Sequence, residues 1–289
     1  MHFRRLIIAL LCAAALAVLL DFGFAAYSEY RVSRLLRAGS DLGADPEVTF
    51  NSSLRYPFAT QALSGDFRNI DIRAREERPD IPGDIVVEAN LRGAELPFSS
   101  LVDKKVSSVP VDVVESRIRI EPNELGQLFK IPDLEIKNPD QPIFGPGKSD
   151  GFGGVGGSDS TKFQTTATIV LTGTVSMDRA AGDGAVTAAN NRNGQIVSVL
   201  ADMRLVGNQV QITATDIYRD PQPATPIPIS TTTPELDKAK VLALFTRTID
   251  THGLSFGVRP AKVRAEGGQI VVEGREEKVS VDLDRLQQP

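Results

Sequence analysis

Thiol and imidazole chemistry has little material in this 289-residue chain, which carries one cysteine, Cys12, and two histidines, His2 and His252. Cys12 and His2 fall in an apolar N-terminal stretch, so the remainder holds one imidazole and no thiol. A cysteine–histidine nucleophile, an internal disulfide, a cysteine-ligated zinc and a multi-histidine metal site all need more than that. Cys12 reads as one more small hydrophobe. His252 lies just past an expected helix and reads as a surface or C-capping imidazole favoured by the helix dipole, with pH sensing as the alternative. Glu235 and Asp237, near the start of the same helix, are the carboxylates nominated for acid/base work. Acids in a first helical turn ordinarily complement the dipole, which is the plainer reading. Gly147-Lys148-Ser149 ends like a phosphate loop but lacks its glycine spacing and its strand-loop-helix frame. The resulting expectation is a protein that is not an enzyme and uses no metal or cofactor.

Apolar residues make up 41% of the chain and charged residues 24%, a globular balance that can build a core. The formal net charge is −5 and the Lys and Arg are scattered, so the basic footprint of a nucleic-acid binder is missing. At about 150 residues per domain the length suggests two domains, but β-rich domains of roughly 200–250 residues commonly stand alone. The expected division is residues 1–26 as a signal peptide or membrane anchor and 27–289 as a single domain.

Residues 6–20, LIIALLCAAALAVLL, form fifteen uninterrupted apolar residues after Arg4 and Arg5, the layout of a secretory signal. Gly23-Phe24-Ala25 offers a small-x-small site with cleavage before Ala26, although Asp21 is an awkward neighbour. The run to Ala26 is also long enough to span a bilayer uncleaved, and both readings stay open. Export without disulfides points to a bacterial envelope protein. Asn51-Ser52-Ser53 matches a glycosylation sequon, a three-residue pattern of low specificity.

From Tyr27 to Ala38 the spacing predicts a short amphipathic helix ended by Gly39, with Arg31, Arg34 and Arg37 in a row. That row can meet anionic headgroups of a membrane surface or be a solvated face. Beyond it the period drops to two. Ile70, Ile72 and Ala74, then Ile85, Val87, Ala89 and Leu91, then Val114, Ser116, Ile118 and Ile120 alternate with polar residues, predicting half-buried strands. A helical turn is expected at 123–129 and a strand at 131–137. The longest strand is expected at 163–178, a hairpin around Gly207-Asn208, a helix from Thr233-Pro234 to about Thr251, and a closing hairpin at Gly267-Gly268. The Gly-rich stretch 145–160 and the Pro-rich stretch 221–234 read as loop and extended linker.

Residues 48–75 place an apolar strand, then Pro57-Phe58, Gln61-Ala62-Leu63 and Gly65, before an alternating strand. A later order runs helix, Leu254-Ser255-Phe256-Gly257-Val258, a Gly-Gly hairpin and Val271-Val272-Glu273-Gly274. Together these resemble the LmeA-type phospholipid-binding family of actinobacterial envelope proteins, from about residue 25 to 284. The resemblance implies phospholipid binding in the periplasmic space and support of mannan elongation on lipid-anchored glycans. It also implies an α+β fold in which a strongly curved antiparallel sheet wraps a long helix, the tubular lipid-binding architecture.

Strands with one continuous apolar face are compatible with a sheet curled around an apolar interior. At about 0.8 kcal/mol per methylene, two acyl chains held out of water are worth on the order of 20 kcal/mol. The nominated lining residues are Pro57, Phe58, Leu63, Phe67, Leu101, Leu244, Phe245 and Phe256, each also readable as plain core. Pro57-Phe58 stands out because an aromatic after a proline-fixed bend can sit at a pocket mouth. The expected partners are a phospholipid with an anionic headgroup, a membrane surface and a mannosyltransferase. The alternative is an envelope scaffold that stabilises a membrane glycosyltransferase.

Overall fold

The period-two segments become antiparallel strands in the computed structural model, which describes residues 2–38, 45–53, 55–78, 80–96, 108–138, 165–176, 194–219 and 238–282. Among these residues the first helix is α1 (His2–Ala38), followed by β1 (Glu47–Phe50), α2 (Phe58–Ser64), β2 (Asp66–Arg78), β3 (Ile81–Glu95) and β4 (Ser108–Ile120). Then come α3 (Pro122–Phe129), β5 (Glu135–Lys137), β6 (Thr166–Ser176), β7 (Gly194–Val206) and β8 (Gln209–Ile217). The order closes with α4 (Lys238–Leu244), β9 (Arg247–Asp250), a 3-10 turn (Ser255–Gly257), β10 (Lys262–Glu266) and β11 (Gln269–Asp282).

The strands form a six-stranded sheet ordered β1-β2-β3-β4-β11-β10 and a five-stranded sheet ordered β5-β6-β7-β8-β9, with every pairing antiparallel. Alternation puts Ile85, Val87, Ala89 and Leu91 of β3 and Val114, Ile118 and Ile120 of β4 inward, as the spacing predicts. Ile169, Leu171 and Val175 of β6 and Val197, Val199, Ala201 and Met203 of β7 do the same in the second sheet, where they join the contiguous core. The Gly267-Gly268 hairpin has both central residues at positive φ, which only glycine adopts freely, and it joins β10 to β11 in the expected place.

The fold is therefore α+β with antiparallel sheets. The strands divide between two sheets without closing a barrel, and the long helix among the described residues is α1. Residues 3–20 of α1 are exposed, and none of the described strands encloses them.

Four expectations are corrected. The short helix at 27–38 is the second half of α1, which runs without a break from His2. The helix expected to reach Thr251 stops at Leu244, and Arg247–Asp250 pairs with β8 instead, Ile249 opposite Val210. The physical reason is the β-branched run Thr246, Thr248, Ile249 and Thr251, which loses rotamer freedom in a helix and fits a pleated sheet. His252 accordingly follows a strand and caps no helix. The longest strand among the described residues is β3, with 15 residues, against 11 for β6. Finally, β3 is not wet on its outer face, where Val86 and Asn90 are buried. Val86 and Val271 lie opposite Arg119 in register, where a long charged side chain covers apolar surface with its stem. The Gly-rich stretch 145–160, the Pro-rich stretch 221–234, Glu235, Asp237 and Leu101 lie outside the described residues.

Candidate functional site

The second half of α1 is attached to the body by a stripe of residues recurring every three or four positions. Ala25, Ser28 and Leu36 are buried, with Asp21, Glu29, Val32 and Ser33 half-buried beside them. The polar members reach backbone groups. Ser33 Oγ donates to the Pro46 carbonyl at 2.6 Å, and Glu29 Oε1 accepts from the Phe50 N–H at 2.8 Å. Asp21 accepts from the N–H groups of Phe58 and Ala59 at 3.0 and 2.7 Å. Those donors open α2, whose N-cap, Pro57, offers no side-chain bond. A carboxylate from another helix thus satisfies two orphan amides and faces the positive end of the peptide dipoles.

Under α2 lies an aromatic cluster. Phe50 meets Phe58 edge-on at 5.4 Å between ring centroids and Phe67 at 5.0 Å, and Phe58 lies 5.9 Å from Phe67. Buried Gln61 ties the helix down, its Nε2 donating to the Tyr56 carbonyl and its Oε1 accepting from the Arg68 N–H. Gly65 then turns the chain at φ 77 into β2. The Pro57-Phe58 and Gln61-Ala62-Leu63-Gly65 pattern is in this way a packing motif: Phe58, Gln61 and Ala62 point in while Leu63 points out, 88% exposed.

The inner face of the six-stranded sheet is crossed by residues 254–259. In register, Ala89 faces Ser116 and Ser116 faces Gly274, so small residues make a shallow row there. A Cβ on Gly274 would stand 2.2 Å from the Arg259 carbonyl oxygen, so this crossing needs glycine. Phe256 sits on the 3-10 turn at φ 63, a conformation that costs a non-glycine residue about 1–3 kcal/mol.

The nominated lining residues therefore separate. Phe58 and Phe67 meet at the α2 end, and Pro57 is half-buried beside them. Fully buried Phe245 and half-buried Leu244 belong to the second sheet's edge beside β8, and half-buried Phe256 lies over the first sheet. Leu63 faces outward because its helix already buries its other face. Of the arginine row, Arg31 stacks over Tyr27 at 6.0 Å and Arg34 over Tyr30 at 5.5 Å, while Arg37 pairs with Asp45 at 2.8 Å. The inward aliphatics of both sheets are in mutual contact at near-zero exposure. A shallow cleft of about 200 Å³ lies instead on the polar side, lined by Glu47, Thr49, Asp71, Ile72, Arg73 and Glu88, and charges of that density suit no acyl chain.

Where the two sheets meet, His252 Nε2 lies 2.6 Å from Asp80 Oδ2, and Arg78 Nη1 donates to the Thr251 carbonyl. The His252 backbone N–H holds the Asp250 carboxyl below its ordinary pKa, against opposing burial, with Gln209 and Arg78 helping. Burial pushes Asp133 up, but the Thr174 hydroxyl and N–H outweigh it and hold this carboxyl below the usual range. Among the described residues no cluster of three His, Cys, Asp or Glu could hold a metal.

Sequence reasoning missed Asp21, Glu29 and Ser33, which lock α1 to the body. Their signal is polar residues at helical spacing continuing the phase of Ala25 and Leu36. No curated protein and no solved structure matches the chain. A family model described as LmeA-like phospholipid-binding does match, over residues 19–275, taking in α2, the aromatic cluster and the crossing at Gly274. With most of its length covered, the chain belongs to the LmeA-like phospholipid-binding family.

Proposed function

We propose that this protein is a non-enzymatic phospholipid carrier of the bacterial cell envelope that supports mannan elongation on lipid-anchored glycans. Its acyl chains would lie within a tubular arrangement of the two sheets. The observation that carries the reading is the family match across strands whose inner faces are apolar along their length. Those faces touch one another in the described residues, so loading has to part them. The apolar surface uncovered as the faces separate is covered again by the acyl chains, and the lipid gains about 0.8 kcal/mol for each methylene withdrawn from water. Arg31 and Arg34, held on Tyr27 and Tyr30, are the cations for an anionic headgroup. A mannosyltransferase is the partner for the glycan role.

Organic extraction of the purified full chain followed by lipid mass spectrometry tests the binding, with co-purifying phospholipid expected. Protein free of lipid that also takes none from vesicles would overturn it. Depleting the protein in its own bacterium should shorten the mannan chains, and an unchanged length removes that part. Crosslinking to a glycosyltransferase without bound lipid would favour the scaffold reading instead.

A further inference from the structure

Asp21, Ala25, Ser28 and Leu36 of α1 pack on the folded body, whereas residues 3–20 of the same unbroken helix are exposed. The exposed stretch is about 27 Å long at 1.5 Å per residue, close to the ~30 Å hydrocarbon thickness of a bilayer. Cleavage before Ala26 would remove Asp21 and Ala25. The first amides of α2 would lose their carboxylate and the core would lose a buried methyl. The family match begins at residue 19, so Asp21 and Ala25 fall within the matched domain and residues 3–18 lie ahead of it.

The attachment points also set the direction of the body. Pro46 bonds α1 at Ser33, Phe50 at Glu29, and Phe58 and Ala59 at Asp21, so the chain descends α1 toward its apolar half. There α2 reverses it, and β2 climbs back antiparallel to β1, Ile70 opposite Phe50 and Ile72 opposite Val48. Among the described residues, the α2 edge is therefore the part bonded to α1 nearest its apolar half. Leu63 stands out from that edge at 88% exposed, and on α1 Phe22 and Phe24, on either side of the face that carries Asp21 and Ala25, are each 58% exposed. A lone exposed leucine means little. Together with two exposed phenylalanines at the level where the spanning helix meets the body, it is apolar surface of the kind that sinks into the headgroup and acyl boundary.

We propose that the apolar half of α1 is retained as a membrane anchor and seats the α2 edge on the lipid surface, with Leu63, Phe22 and Phe24 in the interfacial layer. The anchor does not depend on the protein carrying lipid. It places the Phe50, Phe58 and Phe67 cluster, the apolar core directly behind α2, next to the bilayer.

Two measurements on the full chain test this. In a bacterial host, the chain recovered from membranes should keep the peptide containing residues 3–20 and stay in the pellet through alkaline carbonate. A mature chain beginning at Ala26, or one released by carbonate, overturns the proposal. The chain contains no tryptophan, so Leu63→Trp and Gln269→Trp each give a single emitter, the second at the opposite end of the strands. In phosphatidylcholine and phosphatidylglycerol vesicles with brominated acyl chains, Leu63→Trp emission should be quenched several-fold more than that of Gln269→Trp. Equal quenching, or none, overturns the seating. A cleaved chain that still carries phospholipid sinks the anchor and leaves the carrier reading standing; an anchored chain without lipid supports the anchor and sinks the carrier.

Discussion

Single residues in this protein matter chiefly through backbone they hold or admit. Gly274 is the sharpest case, because the carbonyl of Arg259 occupies the place of its side chain. Adding one methyl there forces the 254–259 crossing off the sheet. Gly274→Ala should cost about 1–3 kcal/mol, the usual range for overpacking, and lower the melting temperature by several degrees. An unchanged melting temperature would show that the crossing is not tightly seated. Asp133 makes a second case. Its ionised form accepts from the hydroxyl and the N–H of Thr174, which holds its pKa below the ordinary carboxylate value. A depressed folded value means the stabilisation is present above the unfolded pKa and fades as pH falls through the folded one. Asp133→Asn should be less stable than the parent at pH 7, with the gap closing under strong acid. A gap that stays constant across that window would rule out the ionised contact.

At the scale of elements, the outer face of the larger sheet carries a row of alternating charge. In register, Arg73 faces Glu88, Glu88 faces Arg117, Arg117 faces Glu273 and Glu273 faces Lys262, across five strands. Glu88 is central, bonding Arg119 at 3.1 Å with Arg117 and Arg73 within 3.8 Å, and its side chain is only 14% exposed. Opposite charges directly across strands stabilise a pairing and like charges oppose it, so the row favours this register. Glu88→Gln leaves neighbouring guanidinium groups facing one another and should cost about 1–3 kcal/mol. Thermal melts at low and high salt check this, with the loss smaller at high salt; equal stability at both would mean the row is decorative. The strands of this sheet were legible as alternation, since the period of two is a direct print of the pleat. The row itself was not, because strand order β3-β4-β11 comes from tertiary pairing between residues far apart in sequence. The end of α4 was misread for a related reason. Leu242, Leu244, Phe245 and Ile249 keep a helical rhythm, but the threonines between them favour the free edge of β8.

For the whole molecule, the α+β class, the antiparallel strands and the family were readable from the chain, and the way α1 joins the body was not. Asp21 looked like a flaw in a cleavage site and is in fact the cap of a helix 37 residues later. Phe58 and Phe67, both nominated as lining residues, pack against one another, yet nothing in one sequence separates a core ring from a lining ring, and Leu63 shows how spacing fails in a helix as short as α2. The carrier reading rests on acyl chains reaching the inner faces of β3, β4 and β11, where Val87, Ile118 and Val272 now pack. A phospholipid bearing a photoreactive group at the end of one acyl chain, loaded into the full chain from vesicles, tests this most directly. Peptide mapping after irradiation should place the crosslinks on those three strands. Crosslinks confined to residues 3–20 and the α2 edge, with the strands unlabelled, would contradict an acyl chain held inside the protein.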